Sequence, residues 1–134
     1  MAHLGGGVGR ALNGLVVQAT AAGRDVRHSF VCFEPPERSA FVERIGTAGG
    51  RVYVRPSRPL LSELLEDADV VQLEWWNHPA TLAALCSLPE ISVRLLVWCH
   101  VSGLHTPVVP LGLIQTAHRF LFTSACSLAT PAIH

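Results

Sequence analysis

The residues of this sequence best suited to chemistry fall in three short stretches: His3-Leu4-Gly5-Gly6-Gly7-Val8-Gly9-Arg10, Glu74-Trp75-Trp76-Asn77-His78, and His100 through His105. Glycines ahead of a helix let the backbone approach a ligand closely. The helix N-terminus then directs free N–H groups and a positive dipole end at an anion, usually a phosphate. The glycine cluster is the expected phosphate contact, and the planar guanidinium of Arg10 suits a bidentate one. The stretch is not a literal GxGxxG, because counting from Gly5 or Gly7 ends on Arg10 or Leu12. It is not a P-loop either, because no Gly-Lys-Ser/Thr follows. His100 closes the most apolar run of the chain, where an imidazole is placed to act as acid, base or donor. His105 is expected in the same crevice.

Trp75 and Trp76 face opposite ways if both are in a strand. One then packs in the core, and the other, assigned as Trp76, presents a flat apolar face to a sugar or a base. Asn77 and His78 suit either a helix cap or a ligand contact. Four cysteines, Cys32, Cys86, Cys99 and Cys126, form no CxxC pair and read as small buried hydrophobes in a reducing compartment. A zinc set of Cys99, His100 and His105 is disfavoured because consecutive strand residues point to opposite faces, and no metal is expected. Arg51, Arg55 and Arg58 read as a solvated edge that would also suit anionic lipid headgroups.

The elements that must position these residues follow from periodicity. Apolar positions Val8, Leu12, Leu15, Val16 and Ala19 predict a helix over 8–22, which Gly23 ends. Further helices are predicted over 38–48, 60–66, 79–88 and 111–117, with Asn77 or His78 capping the fourth. Strands are predicted over 26–33, 51–54, 69–75, 93–99 and 119–123, with Ser124 capping a final short helix. The alternation predicts one α/β domain over 1–134, a Rossmann-like doubly wound parallel sheet. A buried strand normally precedes such a glycine stretch. Only Met1 and Ala2 precede His3 here, so the first strand is expected to be missing. Ligands of such sheets bind at the carboxyl ends of the strands, which is where the three chemical stretches lie.

The chain has 134 residues, 49 % of them apolar, and ten basic against ten acidic side chains. That composition is globular, and zero net charge argues against a general nucleic-acid binder. No signal peptide or membrane span is visible, so a cytoplasmic protein is expected, with contact to a membrane surface as the one refinement.

Gly-Gly-Gly-Val-Gly-Arg before a helix, Ala68-Asp69-Val70-Val71-Gln72-Leu73-Glu74-Trp75-Trp76, and Leu95-Leu96-Val97-Trp98-Cys99-His100 together resemble the N-terminal half of a family 4 glycosyltransferase. The resemblance covers nearly the whole chain. It implies a GT-B architecture and retaining transfer from a nucleotide sugar to a carbohydrate or glycolipid acceptor, without cofactor or metal. By position it places Gly6 and Gly7 at the donor diphosphate, His100 near the transferred sugar, and Asn77 and His78 in an acceptor-side loop. The donor half with its E-x7-E motif is not in the sequence. Glu66 and Glu74 match that spacing only by chance, since they straddle a helix end and a strand. The chain is therefore expected to be an acceptor-side domain, truncated at both ends and inactive without its C-terminal partner domain. Two other readings stand beside it. One is an NAD-type dinucleotide-binding fragment with Glu34 at the ribose; the other is a solo Rossmann-like domain that binds a partner without catalysis.

Overall fold

The computed structural model describes residues 1–88 and 90–133, and it is α/β with parallel sheets. It divides into two compact units, Met1–Leu60 and Leu61–His134. The expected single sheet is resolved into two. A two-stranded sheet lies in the first unit and a three-stranded sheet in the second, each parallel throughout.

The first unit runs α1 (Gly6–Ala21), β1 (Ser29–Cys32), α2 (Ser39–Thr47) and β2 (Arg51–Val54). β1 and β2 pair in register from Ser29 with Arg51 to Cys32 with Val54. Residues 1–4 run along the other edge of β1. The Met1 amine donates to the Val31 carbonyl, and the Phe33 and Glu34 amides donate to the carbonyls of Met1 and Ala2. These residues thus lie along the edge of β1 that does not pair with β2. The core gathers Leu4, Leu12, Val16, Phe30, Cys32 and Ile45, so the i, i+4 stripe of α1 and one face of α2 close on the sheet.

The glycine stretch is also placed differently from expectation. Gly5 is the N-cap, and Gly6, Gly7 and Gly9 belong to the first turn of α1. Gly6 has φ +52°, which a side chain would strain. Gly9 is required by packing: a Cβ there would stand 3.1 Å from the Phe41 ring and 3.2 Å from the Leu4 backbone.

The second unit carries β3 (Val71–Trp75), α4 (Pro79–Ser87), β4 (Leu95–Cys99), α5 (Leu111–Thr116) and β5 (Arg119–Phe122), while α3 (Arg58–Glu66) spans the division. The strand order is β3-β4-β5, each pair parallel. Leu73, Trp75, Val97, Cys99 and Val109 form its core. Ser124 caps the closing 3₁₀ turn, accepting from the Cys126 amide as expected. No helix among the described residues is long and apolar enough to cross a membrane.

Cys32 and Cys99 are buried, while Cys86 and Cys126 are exposed. The reading of all four as buried is corrected for the last two. Cys86 lies on an exposed position of α4 and Cys126 on an exposed position of the closing turn. Burial pushes the Cys32 and Cys99 thiols above their ordinary range, which disfavours the reactive thiolate. A maleimide at pH 7 should therefore label Cys86 and Cys126 rapidly, and Cys32 and Cys99 only after denaturant; mass spectrometry of the digest reads this. Ile45 is fully buried. Ile45→Ala should cost about 2–5 kcal/mol of stability in denaturant titration; a loss under 1 kcal/mol would mean that the α2 face is not packed as described.

Candidate functional site

β3 departs from a plain apolar strand at two alternating positions, Gln72 and Glu74, which share one face. On β4 the same face carries Trp98 and, one step past the strand, His100. The register pairs Glu74 with Trp98 and Trp75 with Cys99, and the His100 amide donates to the Trp75 carbonyl. His100 is thereby set diagonally across from Glu74, within side-chain reach.

Glu74 is 2 % exposed. Burying a carboxylate without partners costs several kcal/mol, and both of its oxygens are occupied here. Gln72 Nε2 donates to Oε1 at 2.5 Å, and His100 Nε2 lies 2.5 Å from Oε2. A carboxylate in its ionised form only accepts, and in that form this contact is made by an imidazole carrying its proton on Nε2. Nδ1 of His100 then has no hydrogen-bond partner among the described residues and is the atom left for a ligand. The Trp98 ring stands 5.1 Å from the imidazole and the Trp76 ring 6.2 Å, while Trp76 meets His78 edge-on at 6.3 Å. The arrangement is an imidazole held by a buried acid between two indoles.

The expected site residues separate accordingly. His100, Trp76 and His78 come together. Trp75 is the core tryptophan, 1 % exposed, and Trp76 is half-buried. His78 caps α4, its Nδ1 accepting from the Ala80 amide at 3.2 Å, with Pro79 opening the helix. Asn77 does not cap. It is exposed and left-handed at φ +61°, a turn conformation that asparagine tolerates. His105 is exposed in the loop after β4 and makes no described contact with His100 or Trp98. Cys99 faces the core, its thiol donating to the Val101 carbonyl.

In the first unit, Gly6 and Gly7 are exposed with open space beyond them, and no side chain caps α1. The carboxylate of Glu37 lies over Gly5, where a Cβ would collide with it, and Glu37 is 3.6 Å from His3 Nδ1. An anion at this turn would require Glu37 to rotate away. Arg10 lines an open cavity between α1 and α2 with Arg38 and Arg44; neither Gly6 nor Gly7 lines it. Glu34 is half-buried beyond β1, its amide bonded to Ala2.

Glu74 lies in one of the three stretches singled out from the sequence, but its pairing with His100 was not foreseen there. Its signal is present: a carboxylate in an otherwise apolar strand must find a partner. In a spectrum of the histidine side-chain nitrogens, His100 should carry its proton on Nε2. Glu74→Gln should redistribute that proton between the two nitrogens, and Glu74→Leu, which orphans Gln72 and His100, should cost about 1–3 kcal/mol. An unchanged His100 spectrum in Glu74→Gln would show that the carboxylate does not hold the ring.

A scan against protein-family models and searches of the curated proteins and of the solved structures found no match, so a functional reading rests on the geometry just described.

Proposed function

We propose that the chain is the acceptor-binding half of a retaining glycosyltransferase, a Rossmann-like domain that works with a donor-binding half carrying the nucleotide sugar. The observation that carries the reading is the Glu74–His100 pair flanked by Trp76 and Trp98 at the carboxyl ends of β3 and β4. Parallel α/β sheets hold their ligands at that edge. Indole faces match the C–H face of a hexose, and a fixed imidazole supplies directional hydrogen bonding to its hydroxyls. His100 is assigned the transferred sugar, and Trp76, Asn77, His78 and His105 the acceptor side.

The pairing sets how His100 acts. With Nε2 committed to Glu74, only Nδ1 faces the ligand. A neutral ring accepts there from a sugar hydroxyl; a doubly protonated ring donates there, its charge balanced by the carboxylate. Stabilisation that grows as charge develops would raise turnover more than affinity.

The test is made in a polypeptide that joins this chain to a donor-binding half. His100→Ala should lower kcat about 10²-fold with little change in KM, the scale for one preorganised hydrogen-bonding group. Trp76→Ala should instead raise KM for the acceptor. Near-normal turnover with a lowered Tm for His100→Ala would make the histidine structural. Turnover of a nucleotide sugar by the 134-residue chain alone would overturn its assignment as a half-site.

A further inference from the structure

The neutral total charge conceals a division. Residues 1–60 hold eight arginines against four carboxylates, and residues 61–134 hold two arginines against six. The units are therefore +4 and −4 with histidine neutral. Three of the arginines in the basic unit are brought together by the packing of α1 on α2. Arg10 comes from the first helix, Arg38 is the N-cap of the second, and Arg44 lies in its last turn. They line one open cavity of about 470 Å³ with Asn13, Gly14 and Phe41.

Three features make this a built site. The helices are tied by hydrogen bonds at two heights: Asn13 Nδ2 donates to the Phe41 carbonyl at 3.0 Å, and Thr20 Oγ1 donates to the Ala48 carbonyl at 2.8 Å. Asn13 is 5 % exposed, so the cavity floor is fixed. None of the three guanidinium groups makes an ion pair or a side-chain hydrogen bond among the described residues; Arg38 only stands 5.9 Å over the Phe41 ring. Three like charges around one concavity repel each other, and that repulsion is relieved by an anion between them. Planar guanidinium forks match phosphoryl oxygens. The volume falls within the range of small-molecule sites.

We propose that Arg10, Arg38 and Arg44 form a phosphoryl-binding site in the α1–α2 cavity, which takes a small phosphate- or diphosphate-bearing ligand. The site neither requires nor implies glycosyl transfer, and a chain without that activity would bind in the same way.

The experiment is a calorimetric titration of the full chain with sodium pyrophosphate at low ionic strength. One-site saturable binding is expected, weakening as salt is raised. Arg10→Gln, Arg38→Gln and Arg44→Gln should each weaken it about tenfold, the loss of one charge-assisted contact. All three side chains belong to exposed residues, so the variants should melt as the parent does. Arg24→Gln and Arg51→Gln remove the same charge from the same unit outside the cavity and should change affinity less than threefold. No saturable binding would overturn the proposal. Equal losses from all five variants would overturn it too, because the attraction would then be diffuse. A third arm adds phosphatidic acid vesicles. Vesicle binding that pyrophosphate displaces supports phosphoryl recognition at the cavity; vesicle binding that pyrophosphate neither displaces nor reproduces would assign the arginines to a lipid surface and overturn the small-ligand site. None of these readings moves with sugar binding, so failure here is distinct from failure of the transferase reading.

Discussion

The candidate site of this protein depends on one constraint, the burial of the Glu74 carboxylate. A charge 2 % exposed has to be met by donors, and the protein supplies them from the same sheet face, Gln72 two residues earlier and His100 across the strand pair. That solution exists only in the observed register of β3 on β4. A slip of one residue would turn Glu74 to the opposite face, among Leu73, Trp75, Val97 and Cys99. The apolar face therefore fixes the polar one: packing of the core holds the register, and the register sets the histidine on the acid.

The two arginine-bearing helices obey a related rule in the first unit. Phe41 and Ile45 draw α2 down, and Gly9 removes the Cβ that would keep α1 away from Phe41. The arginines stand at the wall of the cavity that this packing leaves, and among the described residues no acid lines it. An overall charge of zero carried no trace of this, because electrostatic fields act over about 8–10 Å and not over a whole chain.

Local order was legible in the sequence. The helix expected over 79–88 is Pro79–Ser87, and the strand over 51–54 is Arg51–Val54, because periodicity, proline and glycine act within a few residues. The strand expected from Val26 begins at Ser29, since Val26 and Arg27 have no paired partner and apolar residues alone do not make a ladder. The glycine stretch reads as a ligand-approaching loop ahead of the helix, yet packing against Leu4 and Phe41 carries the first turn of α1 through it. Division into two sheets, the Glu74–His100 pair and the arginine cluster all stayed out of reach. Each depends on register or on helix packing between residues 26 or more positions apart, which no local pattern encodes.

The pair also decides which proton chemistry His100 can carry. An imidazole free at both nitrogens can present either one to a ligand, as donor or acceptor. Glu74 removes that freedom by taking Nε2, and Trp98 and Trp76 restrict the ring from its sides. What remains is a single atom, Nδ1, whose role changes from acceptor to donor when the ring gains a second proton. The desolvation cost of burying Glu74 is offset by Gln72 and His100, and the same contacts fix the direction in which the remaining ring nitrogen points.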